Sequence, residues 1–413
     1  MFLVIIMEKQ ILHVDVNNAF LSWTALDRLN NGYDLDIRTI ASAIGGDEER
    51  RSGIILAKSP KAKACGVVTG EPIYQAKRKC PNLQIFAGNY KLYRECSNKL
   101  YNLLLEYTDK IERFSIDECF LDMTEFLVKR NLIDVANEIN RRVREELKFT
   151  VNVGVANNKL LAKMASDFTK PDKVHTLYKY EIQNKMWNLP VGELFMLGKK
   201  TVPKLNDRGI RTIGDLARAD KIMLSKMLGK HGVLMWEYAN GIDNSEVNYL
   251  PSKPKGIGNS VTLPRNFNTK EEICSIILAL VEQVAYRLRR EEMVASTVNV
   301  QLRTKDFVDF SHQGKLPSST SSTKDIYERA KLLLDEMYKE GIEIRLVGVR
   351  VDNLSDKDKG QISLFENTKQ NEKQEKLDKT LDLLKNKFGY DSVTLAGKLN
   401  INEMVKNKKD KYE

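Results

Sequence analysis

Two adjacent carboxylates, Asp117 and Glu118, lie between segments whose residues alternate in polarity. Ile111, Arg113 and Ser115 alternate with Glu112, Phe114 and Ile116, and Phe120-Leu121 resumes an apolar run. That pattern predicts a β-hairpin with the two acids near its tip. Neighbouring carboxylates repel each other unless water or a shared cation offsets their charge. An oxygen-only cluster at such a tip suits magnesium, which keeps waters and takes substrate phosphates as further ligands. Taken alone, the pair also fits a solvated turn.

A third acid adds to the pair. Ile11-Leu12-His13-Val14-Asp15-Val16 reads as a buried strand ending in Asp15, with Asn17-Asn18 as the start signal of the next helix. A carboxylate desolvated beside Val14 and Val16 is costly unless it is paired or binds a metal; a helix cap or strand-end turn is the structural alternative. Three such acids could hold two magnesium ions. In sites of that kind, with the ions roughly 4 Å apart, one activates an attacking oxygen and the other steadies the leaving group of a phosphoryl transfer.

Other elements must frame these acids. Val153 to Lys163, continuing through Ala165-Ser166-Asp167 to Lys170-Pro171-Asp172, reads as strand, turn and helix, with Lys159 just after the turn, where a lysine is ordinarily solvated. Together, Val14-Asp15-Val16 with Asn17-Asn18-Ala19-Phe20, Ser115-Ile116-Asp117-Glu118, and the Val153 run resemble the motifs of Y-family DNA polymerases. Within that family the likeness is to the bacterial DNA polymerase IV branch of lesion-bypass enzymes, over about residues 10 to 365.

The resemblance implies an α+β multidomain fold shaped as a right hand. The palm would comprise residues 1–19 and 86–176, the small fingers 20–85, a helix-hairpin-helix thumb 177–243, a linker 244–255, and an α/β little finger 256–353. A clamp-binding motif and mobile tail would fill 354–413. Asp15, Asp117 and Glu118 would be the catalytic ligands of two Mg²⁺ ions, with the backbone carbonyl of Val16 completing one shell. A primer 3′-hydroxyl would attack the α-phosphate of a dNTP. Phe20 would be the steric gate that excludes a ribose 2′-oxygen; Ala19, Phe20, Trp23 and Leu26 also have the spacing of a packed helix face. Lys159 would face the triphosphate.

The fingers depart from the family pattern. In Leu56 to Val67, Pro60 and Lys63 stand where a tyrosine and an arginine normally meet the nucleotide. Lys63 keeps the charge but not the bidentate fork, and Lys58 or Lys61 would compensate. Pro60 also fits the first turn of a helix. Leu56 is larger than the usual small residue above the nascent base pair.

In the thumb, Leu197-Gly198-Lys199-Lys200-Thr201 and the Gly209 to Leu216 run resemble a helix-hairpin-helix whose amides grip phosphates, with Lys200 where a second glycine is usual. Asn244 to Lys255 reads as the linker. Beyond it come a strand, a helix from Lys270 to about Arg290, two strands including Ser296 to Arg303, a helix from Lys324 to Lys339, and a strand from Ile344 to Val351. Arg265, Arg303 and Lys305 would lie along a duplex backbone; each also fits a solvated face. Gln361, Ser363, Leu364 and Phe365, in Gln361-Ile362-Ser363-Leu364-Phe365, resemble the sliding-clamp-binding peptide of bacterial polymerases. The charged tail holds one amphipathic helix candidate around Leu377, Leu381, Leu384 and Phe388 and is expected to be mobile.

The 413 residues carry a formal net charge of +10 and a pI near 9.1, a balance that favours polyanionic partners such as primer–template DNA. Five scattered cysteines without close CxxC spacing fit reduced thiols in a cytoplasmic protein, and the four histidines form no ligand cluster. Met1 to Met7 is too short to span a membrane and lacks a signal-peptide pattern; Met7 is an alternative start. Gly45-Gly46-Asp47-Glu48-Glu49 is similar to the loop of diguanylate cyclases but lacks its closing aromatic. The expectation is a monomeric, low-fidelity DNA polymerase that docks on a sliding clamp. The rivals are an impaired DNA- and clamp-binding family member and a palm-fold cyclase.

Overall fold

The computed structural model describes residues 8–46, 53–126, 130–250, 253–357, 368–389 and 392–393. The Met1/Met7 question, Asp47 to Glu49 of the cyclase-like loop, and the clamp peptide Gln361 to Phe365 lie outside the described residues. Two compact units are present, one built from residues 8–46 and 54–250, the other from residue 253 onward.

The first unit runs through β1 (Ile11–Val16), α1 (Ala19–Asn30), β2 (Ser42–Gly45), β3 (Ile55–Lys58), α2 (Pro60–Ala64), α3 (Ile73–Lys79), β4 (Gln84–Ala87) and α4 (Tyr90–Leu104). It continues with β5 (Ile111–Arg113), β6 (Glu118–Asp122), α5 (Leu132–Arg142), β7 (Val151–Ala156), α6 (Lys159–Ser166) and β8 (Val174–Thr176). Five strands form the main sheet in the order β5-β6-β1-β7-β8, so β1 is central and antiparallel to both neighbours. Every residue of β1 is buried, because the sheet is covered on both faces. Leu12, Val14 and Val16 pack into one core with α4 and α5 side chains, while Ile11 joins the core beneath α6. His13 and Asp15 share the Ile11 face by the two-residue period of a strand.

Gly154 sets how closely α6 approaches that face. A Cβ there would lie 1.9 Å from the Ala162 carbonyl oxygen and 2.6 Å from the Ser166 nitrogen, so only glycine lets helix and strand pack at this spacing. The smaller sheet, β3-β2-β4, carries α2 and α3. Pro60 does occupy the first turn of α2, capped by the Ser59 hydroxyl accepting from the Ala62 N–H.

The rest of this unit is helical: α7 (Ile182–Lys185), α8 (Val202–Asn206), α9 (Ile213–Arg218), α10 (Lys221–Leu228) and α11 (Lys230–Ala239). Their apolar faces share a core with α6. The expected linker is not free along its first half. Asp243 accepts from the Leu160 N–H at 3.0 Å, Lys159 donates to the Glu246 carbonyl at 3.3 Å, and the Asn248 N–H donates to Glu112 at 2.6 Å. Polar side chains at the α6 N-terminus and on β5 hold residues that their composition alone marks as loop.

The second unit consists of β9 (Gly256–Phe267), α12 (Lys270–Arg290), β10 (Met293–Thr304), β11 (Asp309–Thr320), α13 (Thr323–Met337), β12 (Ile344–Asp356) and α14 (Thr368–Phe388). Its antiparallel sheet has the order β11-β10-β12-β9, with α12 and α13 packed on one face, as expected from the strand and helix periods. Within the tail expected to be mobile, α14 makes side-chain contacts with α12. Arg289 on α12 forks onto Asp382 at 2.6 and 2.8 Å and reaches Asp378 at 3.5 Å, and Lys385 pairs with Glu282 in a buried contact. The helix docks through inward-facing charges, while Leu383 and Phe388 remain exposed.

Candidate active site

Strand register brings the acids together. Asp15 on β1 is directly opposite Glu118 on β6, and the Val16 N–H donates to the Asp117 carbonyl at 3.0 Å. Asp117 lies in the turn between β5 and β6, as the hairpin pattern predicts, and Glu118 opens β6. The Ser115 hydroxyl donates to the Asp117 carboxylate at 2.6 Å. Burial, joined by the charges of Glu118 and Asp15, pushes the Asp117 carboxyl upward against the pull of Ser115.

Two lysines reach this rung from the other side. Lys163 on α6, itself buried, stands 3.2 Å from Asp15, 3.1 Å from Glu118 and 3.2 Å from Asp167. Lys170, in the segment after α6, stands 2.8 Å from Asp15 and 2.9 Å from Asp167. Burial disfavours both ammonium charges, but the surrounding carboxylates outweigh it and hold both pKa values up. Below them, His13 is fully buried. Its Nδ1 shares a 2.7 Å hydrogen bond with Ser166 Oγ, and its Nε2 comes within 3.3 Å of Glu118, though too far off line for a directed hydrogen bond. Burial lowers the His13 pKa. For Glu118, burial opposes the charge, yet His13 and Lys163 prevail and hold its carboxyl at about 2.

The structure does not bring Lys159 to this cluster. Its ammonium is 2.7 Å from Glu112 and 4.9 Å from the centre of the Phe120 ring, on the neighbouring rung where His13, Phe120 and Glu112 align. One helical turn separates it from Lys163, and only Lys163 sits over the Asp15 rung. His13, Lys163 and Lys170 were missed from sequence. A signal was present for His13, which is two residues before Asp15 and therefore on its face; nothing local marks Lys163 or Lys170.

Phe20 on α1 is half-buried and stacks on Tyr93 with ring centres 4.5 Å apart. Asn18, just before α1, donates to the Lys58 carbonyl at 2.8 Å, tying β3 to the end of β1. Lys58 and Lys63 are near enough that, after burial, their mutual repulsion is the next force lowering the Lys58 pKa. Gly198 accepts at its carbonyl from the Thr201 N–H at 2.8 Å in a turn that leaves Lys199 and Lys200 exposed. Arg303 forks onto Asp309 at 2.8 Å through each of two nitrogens, and Arg265 pairs with Glu272. Both arginines lie on the surface with acidic partners already in place.

Among the described residues, no three acids or imidazoles converge into a ready metal cage. The donor set nonetheless fits a hard cation that keeps waters: three carboxylates at one end of two strands, one with its pKa raised by burial and by the charges of the other two, and ammonium groups drawn onto the cluster.

The impB/mucB/samB family matches residues 14–167, and the C-terminal domain of that family matches residues 254–364. The chain is 48% identical to DNA polymerase IV of Clostridium acetobutylicum, over 93% of this chain and 96% of that one. It is 38% identical to DNA polymerase IV of Acetivibrio thermocellus, over 94% and 96%. The chain belongs to the Y family of DNA polymerases, in the polymerase IV branch. DNA polymerase IV 1 of Bacillus subtilis is 34% identical over 92% of this chain and 90% of its own length. A solved Y-family DNA polymerase chimera matches with a TM-score of 0.73 and 26% identity, over 84% of this chain and 99% of the chimera. The family fixes the activity as DNA-templated DNA synthesis of the translesion type, with a divalent metal cofactor. Among the described residues, no helix is long and apolar enough to cross a membrane.

Proposed function

We propose that Asp15, Asp117 and Glu118, with the Val16 carbonyl, hold two Mg²⁺ ions at the palm and that this site joins a dNTP to a primer 3′ end. The observation that carries the reading is the Asp15–Glu118 rung with Lys163 and Lys170 at its open side. Bound there, the ions would neutralise triphosphate oxygens and favour ionisation of the attacking hydroxyl. Lys163 balances the carboxylates from beneath. Lys170, 36% exposed against 9% for Lys163, is the ammonium free to turn toward a phosphate, the role first given to Lys159. Phe20 stands as the steric gate on α1, with Tyr93 fixing its ring.

The crowding of Lys58 and Lys63 supports an anion-binding role for the fingers, in place of the usual tyrosine and arginine. Primer–template DNA would meet the Gly198-Lys199-Lys200 turn of the thumb. It would also meet the little-finger sheet, where Arg303, on the face opposite the helices, and Arg265, beside the start of α12, would exchange their carboxylates for phosphates. Gln361, Ser363, Leu364 and Phe365 would dock on a sliding clamp, raising processivity through local concentration. The protein would work as a cytoplasmic monomer.

Primer extension with magnesium and four dNTPs, on an undamaged template and on one with an abasic site, tests the assignment. Wild-type protein should extend both. Asp117→Ala should bind primer–template with unchanged affinity and extend neither; extension by that variant would remove the acids from the mechanism.

A further inference from the structure

Asn152 is wholly buried on β7, on the same rung as Asp15 and Glu118. A primary amide has two N–H donors and two acceptor lone pairs, and here all are used. Its Nδ2 donates to the carbonyls of Ser166 and Thr169, each at 3.0 Å. Its Oδ1 accepts from Asn17 Nδ2 and from the Lys173 N–H, each at 3.2 Å. Asn17 accepts in turn from the Asp172 N–H at 2.8 Å. The two amides thus grip the backbone on both sides of Lys170.

Between α6 and β8 this segment has neither helix nor strand to hold it. Arg144 pairs with the Asp172 side chain at 2.7 Å and His175 Nε2 meets the Thr169 carbonyl at 3.0 Å, but both contacts are on the exposed side. The buried Val153 N–H donates to the Lys173 carbonyl at 2.9 Å at the far end of the segment, and the remaining buried side-chain anchorage comes from Asn152 and Asn17. We propose that Asn152, with Asn17, is a positioning residue for nucleotide binding. It fixes the Ser166–Lys173 segment so that the Lys170 ammonium stands over the Asp15 rung, where the triphosphate of the incoming nucleotide must lie. The inference rests on the reading of Lys170 as a phosphate partner.

Truncating Asn152 strands the buried Ser166 carbonyl and takes a partner from the Thr169 carbonyl, the Lys173 N–H and the Asn17 amide, so the segment must shift to satisfy them. The loss should appear in nucleotide affinity, because no other proposed ligand of DNA or nucleotide lies on the segment. A double-variant cycle tests this. The affinity for a correctly paired dNTP is measured at equilibrium, on enzyme bound to a primer–template whose primer ends in a dideoxynucleotide, so that no chemistry follows. Asn152→Ala and Lys170→Ala should each weaken dNTP binding about tenfold, the scale of one positioned charge–phosphate contact. The double variant should bind no more weakly than Lys170→Ala alone, and primer–template affinity should not change.

Multiplying effects, an unaltered dNTP affinity in Asn152→Ala, or an equal loss of DNA affinity would each overturn the proposal. Lys170→Ala without effect would overturn the underlying reading of Lys170, a result separable from the other three. If circular dichroism shows Asn152→Ala unfolded, Asn17→Ala, which removes only the grip on Asp172 and one bond to Asn152, enters the same cycle with the same criteria.

Discussion

Lys159 and Lys163 are a helical turn apart on α6, and which carboxylate each one meets decides what each can do. Lys159 meets Glu112 with both side chains largely buried, a pair that ties α6 to the edge of the sheet. Lys159→Ala should therefore lower unfolding free energy by about 2 kcal/mol, between the values of exposed and buried pairs, with dNTP affinity unchanged. Chemical denaturation beside nucleotide titration checks both parts. Phe20→Ala should raise incorporation of ribonucleotides relative to dNTPs, read by single-nucleotide extension. Loss of its stacking on Tyr93 should cost about 1 kcal/mol of stability. Asp15 was legible in the sequence because an acid inside an apolar strand is conspicuous. Lys163 was not, because a lysine on a short helix is ordinarily solvated, and nothing local signals that this one points into a carboxylate cluster.

The elements explain why that lysine is buried. Gly154 lets α6 sit close enough to β7 for Lys163 and Ser166 to reach the face of β1. Gly154→Ala should destabilise the protein by about 3 kcal/mol, the upper end of overpacking costs, because the obstructing atoms belong to helix backbone. Thermal unfolding measures this, and synthesis should fall with it. Cys119 on β6 gives a second check on the packing. Burial drives its thiol up to about 12, whereas Cys65 at the end of α2 is exposed. Brief alkylation at pH 8 followed by peptide mass spectrometry should label Cys65 and spare Cys119. Most of these elements could be read from residue periods, and the strands and helices of the second unit came through nearly whole. Its strands alternate and its helices repeat on a 3.6-residue face because each buries one side on a single core.

Across the whole chain, the sequence was least informative where contacts join distant segments. The run after Asp243 reads as loop from its composition, yet Glu112, Leu160 and Lys159 hold it. The tail reads as solvated because its charges are dense, but Asp378 and Asp382 face Arg289, a partner far away in sequence. Arg289→Ala should lower the stability of the second unit by about 3 kcal/mol, because it leaves buried carboxylates without their counter-charge. Limited proteolysis should then cut within α14 well before the rest of that unit.

The central position of β1 has a consequence for how the protein is made. This strand is synthesised well before its two sheet neighbours, β6 and β7, which are encoded far downstream of it. At roughly 5–20 residues per second, Ile11–Val16 must wait on the order of ten seconds, with at least one hydrogen-bonding edge open, before Ala156 is even polymerised. An apolar segment left unpaired for so long invites premature association with other nascent chains. Asp15 is therefore made well before the strands that enclose it.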